Sequence, residues 1–373
     1  MKVELKNKTV KFIYREFVLL FFVLILIVLA IVRPELIPEY PSMISSRTMV
    51  VLTVLLLIAT GIKESGYFGW VSGKMIKKLH NERSLALFMI TLSALLSTFL
   101  TNDIALFIVV PLSLSLQKVI KNDITKLIIF EAIAVNVGSF LTPIGNPQNI
   151  FLWHKWGVTT TEFIFKTLPG VLILYGILIL FAFPVFGKKE IRLFDTNGRH
   201  ENLNRRLFLS SLVLLAVFVV TLELKQVLYI LPFVLLFYLL FYRRVLLRVD
   251  WLLLLLFVII FIDFHVISTL PVIVEKMEYL NLTSGSNVFL FSGVVSQFIS
   301  NVPASVFVSK FSNDWYAVVY GVNTGGNGIA FASLANLIAL RMAGNKKIWI
   351  TFHKYSIPYM VVSGLAVYLL FFY

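Results

Sequence analysis

The residues best suited to chemistry in this sequence are amides, hydroxyls and one carboxylate, gathered in four short blocks. Two are compact, Thr101-Asn102-Asp103 and Ser300-Asn301. Two are longer interruptions. The first runs from Gly138 through Thr142, Pro143, Gly145, Asn146 and Pro147 to Asn149; the second runs from Asn323 through Gly325, Gly326 and Gly328 to Ser333 and Asn336. Hydroxyl and amide oxygens are hard ligands that suit Na⁺, and neighbouring N–H groups suit oxyanions. The same residue types also cap helices, so some of them serve a turn alone. No Gly-Lys-Ser/Thr follows Asn323–Gly328, so this is not a nucleotide loop. The five histidines lack metal-ligand spacing, and zero cysteines exclude disulfides and thiolate metal sites. No cofactor signature or nucleophile–base motif is found, which argues against an enzyme and leaves Na⁺ or H⁺ as the small partner to consider.

The elements that must position these blocks follow from composition. Of 373 residues, 59% are hydrophobic and 14% charged, more apolar surface than a water-soluble fold can hide. In lipid every backbone polar group must pair internally, so the choice is helices or a closed barrel. Runs such as Phe17 to Val32 and Ile357 to Tyr373 are continuous rather than alternating, which selects helices. The net charge of +14 is spread over loops between apolar runs, the positive-inside pattern rather than a nucleic-acid face. The basic N-terminus resembles a signal peptide, but Arg33-Pro34-Glu35 replaces a cleavage site, so an uncleaved first helix is expected.

Spans are expected at 17–33, 47–63, 127–157, 169–187, 207–223, 227–242, 251–267, 314–341 and 355–373. The segments 85–117 and 287–311, with polar centres, read as re-entrant hairpins. That choice leaves 26 of the 33 Lys and Arg residues in cytoplasmic loops, which single spans would not. The expected protein is an all-α polytopic membrane protein of about nine spans plus two hairpins, N-terminus inside and C-terminus outside. Amphipathic stretches at 66–80 and 268–283 are expected along the interface. Asp263 and His265 fall near the outer end of their span and Glu131 near the inner end of its own, positions typical of boundary residues.

The blocks repeat. Ser97 to Ala105 aligns with Ser296 to Ala304 at an offset of 199, and Asn136, Gly138 and Asn149 align with Asn323, Gly325 and Asn336 at an offset of 187. Opposite entry of the two hairpins makes the repeats inverted. The first occupies 1–187 (hairpin 85–117, broken helix 127–157) and the second 227–373 (hairpin 287–311, broken helix 314–341), with 188–226 as linker and connecting helix. Inverted repeats with broken helices are a transporter architecture, with the site near the midplane. A break in lipid leaves N–H and C=O groups that only protein, ions or water can satisfy. Asp103 is the costliest residue, because a carboxylate at membrane depth costs about 2.5–3.5 kcal/mol. Protonated, it is a proton-coupling group; holding a cation, it is a ligand; paired with a lysine, it is structural.

At these blocks the sequence resembles the ion transporter superfamily, which includes divalent anion–sodium symporters, citrate transporters and arsenite efflux permeases. Thr101-Asn102-Asp103, Thr142 to Asn149, Ser300-Asn301-Val302-Pro303 and Gly325 to Asn336 carry the resemblance. In the dicarboxylate symporters each tip is Ser-Asn-Thr and binds sodium and carboxylate. Asn102 and Asn301 match, and Thr101 and Ser300 keep the hydroxyl; Asp103 and Val302 depart and weaken the case for a dicarboxylate. The Asn-Asp pair is similar to arsenite permeases, which implies proton coupling and export. On this basis Asn102, Ser300, Asn301, Pro303, Thr142, Asn146, Asn149, Ser333 and Asn336 are substrate-binding candidates. Thr101, Asn102, Asp103, Gly145, Ser300, Asn301 and Gly328 are cation-coupling candidates. The resemblance also implies a homodimer with an elevator-like motion.

The function expected is secondary transport of a small anion, an organic acid or a metalloid oxyanion, coupled to Na⁺ or H⁺ in a prokaryotic plasma membrane. Arsenite or antimonite efflux, Na⁺/H⁺ antiport and, from another class, an ion channel with re-entrant hairpins stand beside it. The missing Walker motif excludes ATP-driven transport by this chain alone.

Overall fold

The computed structural model describes residues 16–67, 81–117, 123–190, 203–224, 226–344 and 347–373. Among the described residues the protein is α-helical without strands. In chain order, α1 is Phe17–Val32, α2 Tyr40–Met43, α3 Ser46–Glu64, α4 Glu82–Phe99, α5 Asn102–Gln117 and α6 Thr125–Ser139. Then come α7 Pro147–Trp156, α8 Thr160–Val185, α9 Arg205–Glu223, α10 Val227–Phe241, α11 Arg243–Arg248 and α12 Trp251–Ser268. The last six are α13 Pro271–Glu278, α14 Gly285–Ile299, α15 Asn301–Val308, α16 Trp315–Gly325, α17 Leu334–Ala343 and α18 Lys347–Phe371.

Burial is inverted relative to a water-soluble fold. Phe21, Leu24, Phe165, Leu180 and Leu240 are exposed, whereas Asn102, Asp103, Asn136, Asn149 and Asn336 are buried. Lipid is the medium that makes such a surface stable, and it demands that interior polar groups find partners within the protein. Helices α3, α4, α8, α12 and α18 are each long and apolar enough to cross a membrane. Helix α1 qualifies together with Pro34–Met43, to which it is bent by 117°. This is an integral, polytopic, all-α membrane protein.

Both polar-centred segments fold as two helices. Helices α4 and α5 meet at Leu100–Thr101, and α14 and α15 meet at Ser300, a non-glycine residue held at φ 72°. Both interruptions also end a helix: α6 stops at Ser139 before α7, and α16 stops at Gly325 before a short 3-10 turn and α17. Helix α7 restarts with Asn146 as N-cap and Pro147 in the first turn. Two helix starts are corrected. The span expected at 169 begins at Thr160, capped by Thr159 onto the Glu162 N–H at 3.2 Å, so Pro169 lies inside it. The span expected at 355 begins at Lys347, with Pro358 inside it. The polar Thr160-Thr161-Glu162 turn hid the first start, and His353 and Lys354 hid the second by interrupting the apolar run; both prolines are tolerated inside their helices. The amphipathic stretch expected at 268–283 contains α13, while most of 66–80 lies outside the described residues.

Close packing uses small residues, because lipid offers no hydrophobic drive between helices. Helix α4 lies along α6, and α14 along α16. A Cβ on Gly138 would stand 2.0 Å from the Ala94 carbonyl oxygen and 2.5 Å from Ser97 Oγ. One on Gly325 would stand 2.7 Å from the Gly293 oxygen and 2.2 Å from Ser296 Oγ. These contacts correspond at the offsets of 199 and 187.

Candidate functional site

The two interruptions meet through asparagines. Asn136 on α6 donates to Asn336 Oδ1 at 2.9 Å, and Asn323 on α16 donates to Asn149 Oδ1 at 2.8 Å. Each pair crosses from the unbroken arm of one interruption to the restarted arm of the other. Further bonds tie each restarted arm to its own break, and two more cross between the interruptions. Asn149 Nδ2 reaches the Ser139 and Thr142 carbonyls at 3.2 and 3.0 Å. Asn336 Nδ2 reaches the Gly326 and Ile329 carbonyls at 2.9 and 3.4 Å. Asn146 donates to Asn323 Oδ1 at 2.9 Å, and Ser333 Oγ to Asn136 Oδ1 at 3.1 Å. These amides satisfy carbonyls that the broken helices release, which is why a mid-membrane break is stable at all.

The hairpin tips join this network unequally. Asn102 donates through its backbone N–H to the Gly145 carbonyl at 2.9 Å and through Nδ2 to Asn136 Oδ1 at 3.2 Å; its Oδ1 caps the Asp103 N–H at 3.0 Å. Asn301 is buried, and its Nδ2 would stand 2.9 Å from a Cβ on Gly326. Ser300 reaches Asn301 Oδ1 at 3.4 Å. Thr142 Oγ1 donates to the Thr98 carbonyl at 2.7 Å, tying break to hairpin. Pro303 is buried within α15 and offers no polar atom; Gly328 packs under Gln297 and Met360.

Asp103 and Thr101 lie elsewhere. They line a narrow cleft with Leu52 and Leu56 of α3, Pro147, and Leu253, Leu254 and Phe257 of α12. Asp103 Oδ1 is buried without a partner. Three more oxygens share that condition near the interruptions: Gln148 Oε1, Thr324 Oγ1 and Asn327 Oδ1. Buried polar atoms without partners are uncommon and mark places where an ion, water or ligand is missing from the account.

The electrostatics come from backbone rather than side chains. Helices α5, α7, α15 and α17 all begin at residues of this site, so four helix N-termini, each carrying partial positive charge, open onto it. None of the side chains named in the network is Lys or Arg. Such an arrangement can hold an anion on N–H groups and a cation on orphan oxygens.

The structure thus brings Asn102, Thr142, Gly145, Asn146, Asn149, Ser333 and Asn336 into one connected cluster and leaves Pro303 without a polar contribution. Asn136, flagged in the sequence only as a repeat marker, and Asn323, which opens the second interruption but was not a binding candidate, are its hubs. Gln297 was not legible as a site residue: it bridges the Gly293 and Gly325 carbonyls, both at 2.8 Å, and takes the Ile329 N–H at 3.1 Å. Its repeat counterpart, Thr98, likewise bonds the Gly138 carbonyl, at 3.2 Å. Glu131 and Asp263, expected near the ends of their spans, are both fully buried within the protein; Glu131 accepts from Ser113 at 2.5 Å.

Broken apolar helices around a buried polar cluster, inside a lipid-facing shell, define a membrane transporter. Residues 8–312 match the citrate transporter family, and the chain belongs to that family. It is 41% identical over 332 residues to the inner membrane protein YbiR of Escherichia coli, covering 89% of each chain. It is 35% identical over 343 residues to the uncharacterized transporter MJ0456 of Methanocaldococcus jannaschii, covering 89% of this chain and 91% of the relative. A transporter named arsB from Dictyostelium discoideum is 25% identical over 180 residues, 46% of this chain and 30% of its own.

Proposed function

We propose that the protein is a secondary active transporter that moves a small anion, an organic acid or a metalloid oxyanion, coupled to Na⁺ or H⁺ by alternating access. The observation that carries this reading is the opening of four helix N-termini onto one buried cluster that also holds orphan oxygens. The anion sits on the N–H groups; the coupling cation takes the oxygens. Binding falls to Asn102, Ser300, Asn301, Thr142, Asn146, Asn149, Ser333 and Asn336. Cation coupling falls to Thr101, Asp103, Gly145 and Gly328 with the two tip asparagines. The recurrence of contacts at offsets of 187 and 199 supports two inverted repeats, 1–187 and 227–373, as the two halves that alternate. A homodimer in a prokaryotic plasma membrane belongs to the same reading.

Asp103 supports a second one. Its carboxyl lies in an apolar cleft without a partner, beside rather than within the asparagine cluster, which suits proton-driven export of arsenite or antimonite. Purified protein in liposomes, with imposed Na⁺ or H⁺ gradients and citrate, succinate, sulfate, phosphate or arsenite as solute, separates these readings. Gradient-driven accumulation of one solute is expected. Flux at channel rates, indifferent to both gradients, would reject the carrier.

A further inference from the structure

The asparagine cluster does not account for Asp263. This residue lies on α12, on neither a hairpin nor a break, and is completely buried, with both carboxylate oxygens unpartnered. Beside it runs the elbow formed where α1 bends by 117° into Pro34–Met43. There Leu29, Met43, Ile262 and Val266 form a small apolar cluster of their own, with Tyr40 packed against it. Tyr40 lies on α2, which packs against α12 around Ile262 and Val266, and its hydroxyl is buried without a partner. Three orphan oxygens thus occur together under one bent segment.

The surrounding elements carry few charged groups; α7, packed on α12 through Phe151 and Phe261, brings His154 and Lys155. Helix α1 and helix α15 carry no titratable side chain, and α2 carries only Tyr40. Helix α3 brings Arg47 at its first turn, with Lys63 and Glu64 at its far end; the elbow brings Glu39 and the Arg33–Glu35 pair. The Arg33 guanidinium bonds the Glu35 carboxylate and holds it below the usual carboxylate range, so that pair is already neutralised. Helix α13 contributes Glu275, Lys276 and Glu278. On α12 itself Asp250 is at the opposite end, and His265 faces Lys310, its Nδ1 3.0 Å from the lysine Nζ.

Sodium and hydrogen ion make different demands here. Sodium is a hard cation held by a shell of oxygens, and helix α12 is unbroken, so its carbonyls are committed to their own ladder. Two carboxylate oxygens and one phenol make a poor cage. A proton needs only one oxygen, and the carboxyl it forms can donate to a neighbour. We infer that Asp263 and Tyr40 form a proton-binding site, separate from the asparagine cluster, that exchanges its proton when the α1 elbow lifts from α12. Helix α12 also packs on the hairpin arm α15, through Phe264 and Phe307 with ring centroids 6.3 Å apart. Occupancy of the site is thereby felt by an element of the substrate region.

Infrared difference spectra of the full-length protein in liposomes, taken across a pH titration, test this without any substrate. A protonated-carboxyl signal that titrates away is expected in the wild type; one component of it should persist in Asp103→Asn and be missing in Asp263→Asn, where the Asp103 and Glu131 carboxyls remain. Superimposable titrations of wild type and Asp263→Asn would overturn the assignment. So would loss of the Asp263 band on adding sodium at fixed pH. Should Asp263→Asn fail to fold, Tyr40→Phe keeps the packing and must move the band or its midpoint; an unmoved band overturns the site.

Discussion

At the scale of single residues, the weight of the polar site rests on a few amides that each make several bonds. Asn136 makes four: to Gly326, Asn336, Asn102 and Ser333. Asn323 also makes four: to Asn149, Val319, Asn146 and Gln148. Side-chain hydrogen bonds in membrane interiors average about 0.6 kcal/mol, so losing four costs about 2 kcal/mol. Asn136→Ala and Asn323→Ala are therefore expected to destabilise the protein by that amount and nearly equally. Equilibrium unfolding in detergent measures it, and a wild-type midpoint for either variant would remove the hub from the account. Asp103 differs in kind, because removing its charge takes away no hydrogen-bond partner. Asp103→Asn is expected to keep wild-type thermal stability and lose proton-driven flux in liposomes. Retention of the wild-type pH dependence of flux would take Asp103 out of the coupling.

At the scale of elements, the interruptions were legible because they carry backbone chemistry. Pro143, Pro147 and the glycines announce a stop whatever surrounds them, and Asn146 announces the restart. The helix starts at Thr160 and Lys347 were not legible, since Thr160-Thr161-Glu162 is polar and His353 and Lys354 interrupt the apolar run behind Lys347. The burial of Asp263 and Glu131 was hidden for a different reason: it depends on which helices pack beside them, and chain position alone suggested the membrane boundary. The spacing at offset 187 did mark Asn136 and Asn323, yet it could not say that they bond across the halves.

The close helix contacts make a prediction of their own. Gly138→Ala pushes a methyl into backbone, the Ala94 carbonyl at 2.0 Å, whereas the nearest obstacle to Gly325→Ala is the Ser296 hydroxyl at 2.2 Å. Overpacking costs about 1–3 kcal/mol where the neighbour can yield. Gly325→Ala is expected to lose thermal stability and to regain part of it with Ser296→Ala. Gly138→Ala should lose more and regain nothing with Ser97→Ala. Equal rescue of both would mean that side chains, not backbone, set the helix spacing.

At the scale of the whole molecule, charge predicts the orientation. Arg243, Arg244 and Arg248 gather in α11 between two apolar helices, α10 and α12, and a basic turn of this kind is retained on the cytoplasmic side. Helix α12 is then expected to end outside, with α13 along the outer face. Because the sequence has no cysteine, one introduced thiol reports on one position without background. Arg244→Cys should react with a membrane-impermeant maleimide only after intact cells are permeabilised, while Glu278→Cys should react beforehand. This pair brackets a single membrane crossing, so it tests the sign of the second half independently of substrate, coupling ion or dimer. Labelling in the opposite order would turn that half over. The second hairpin would then enter from the cytoplasm, the same side as the first, and the mirrored arrangement on which alternating access depends would be lost even with every hydrogen bond of the site intact.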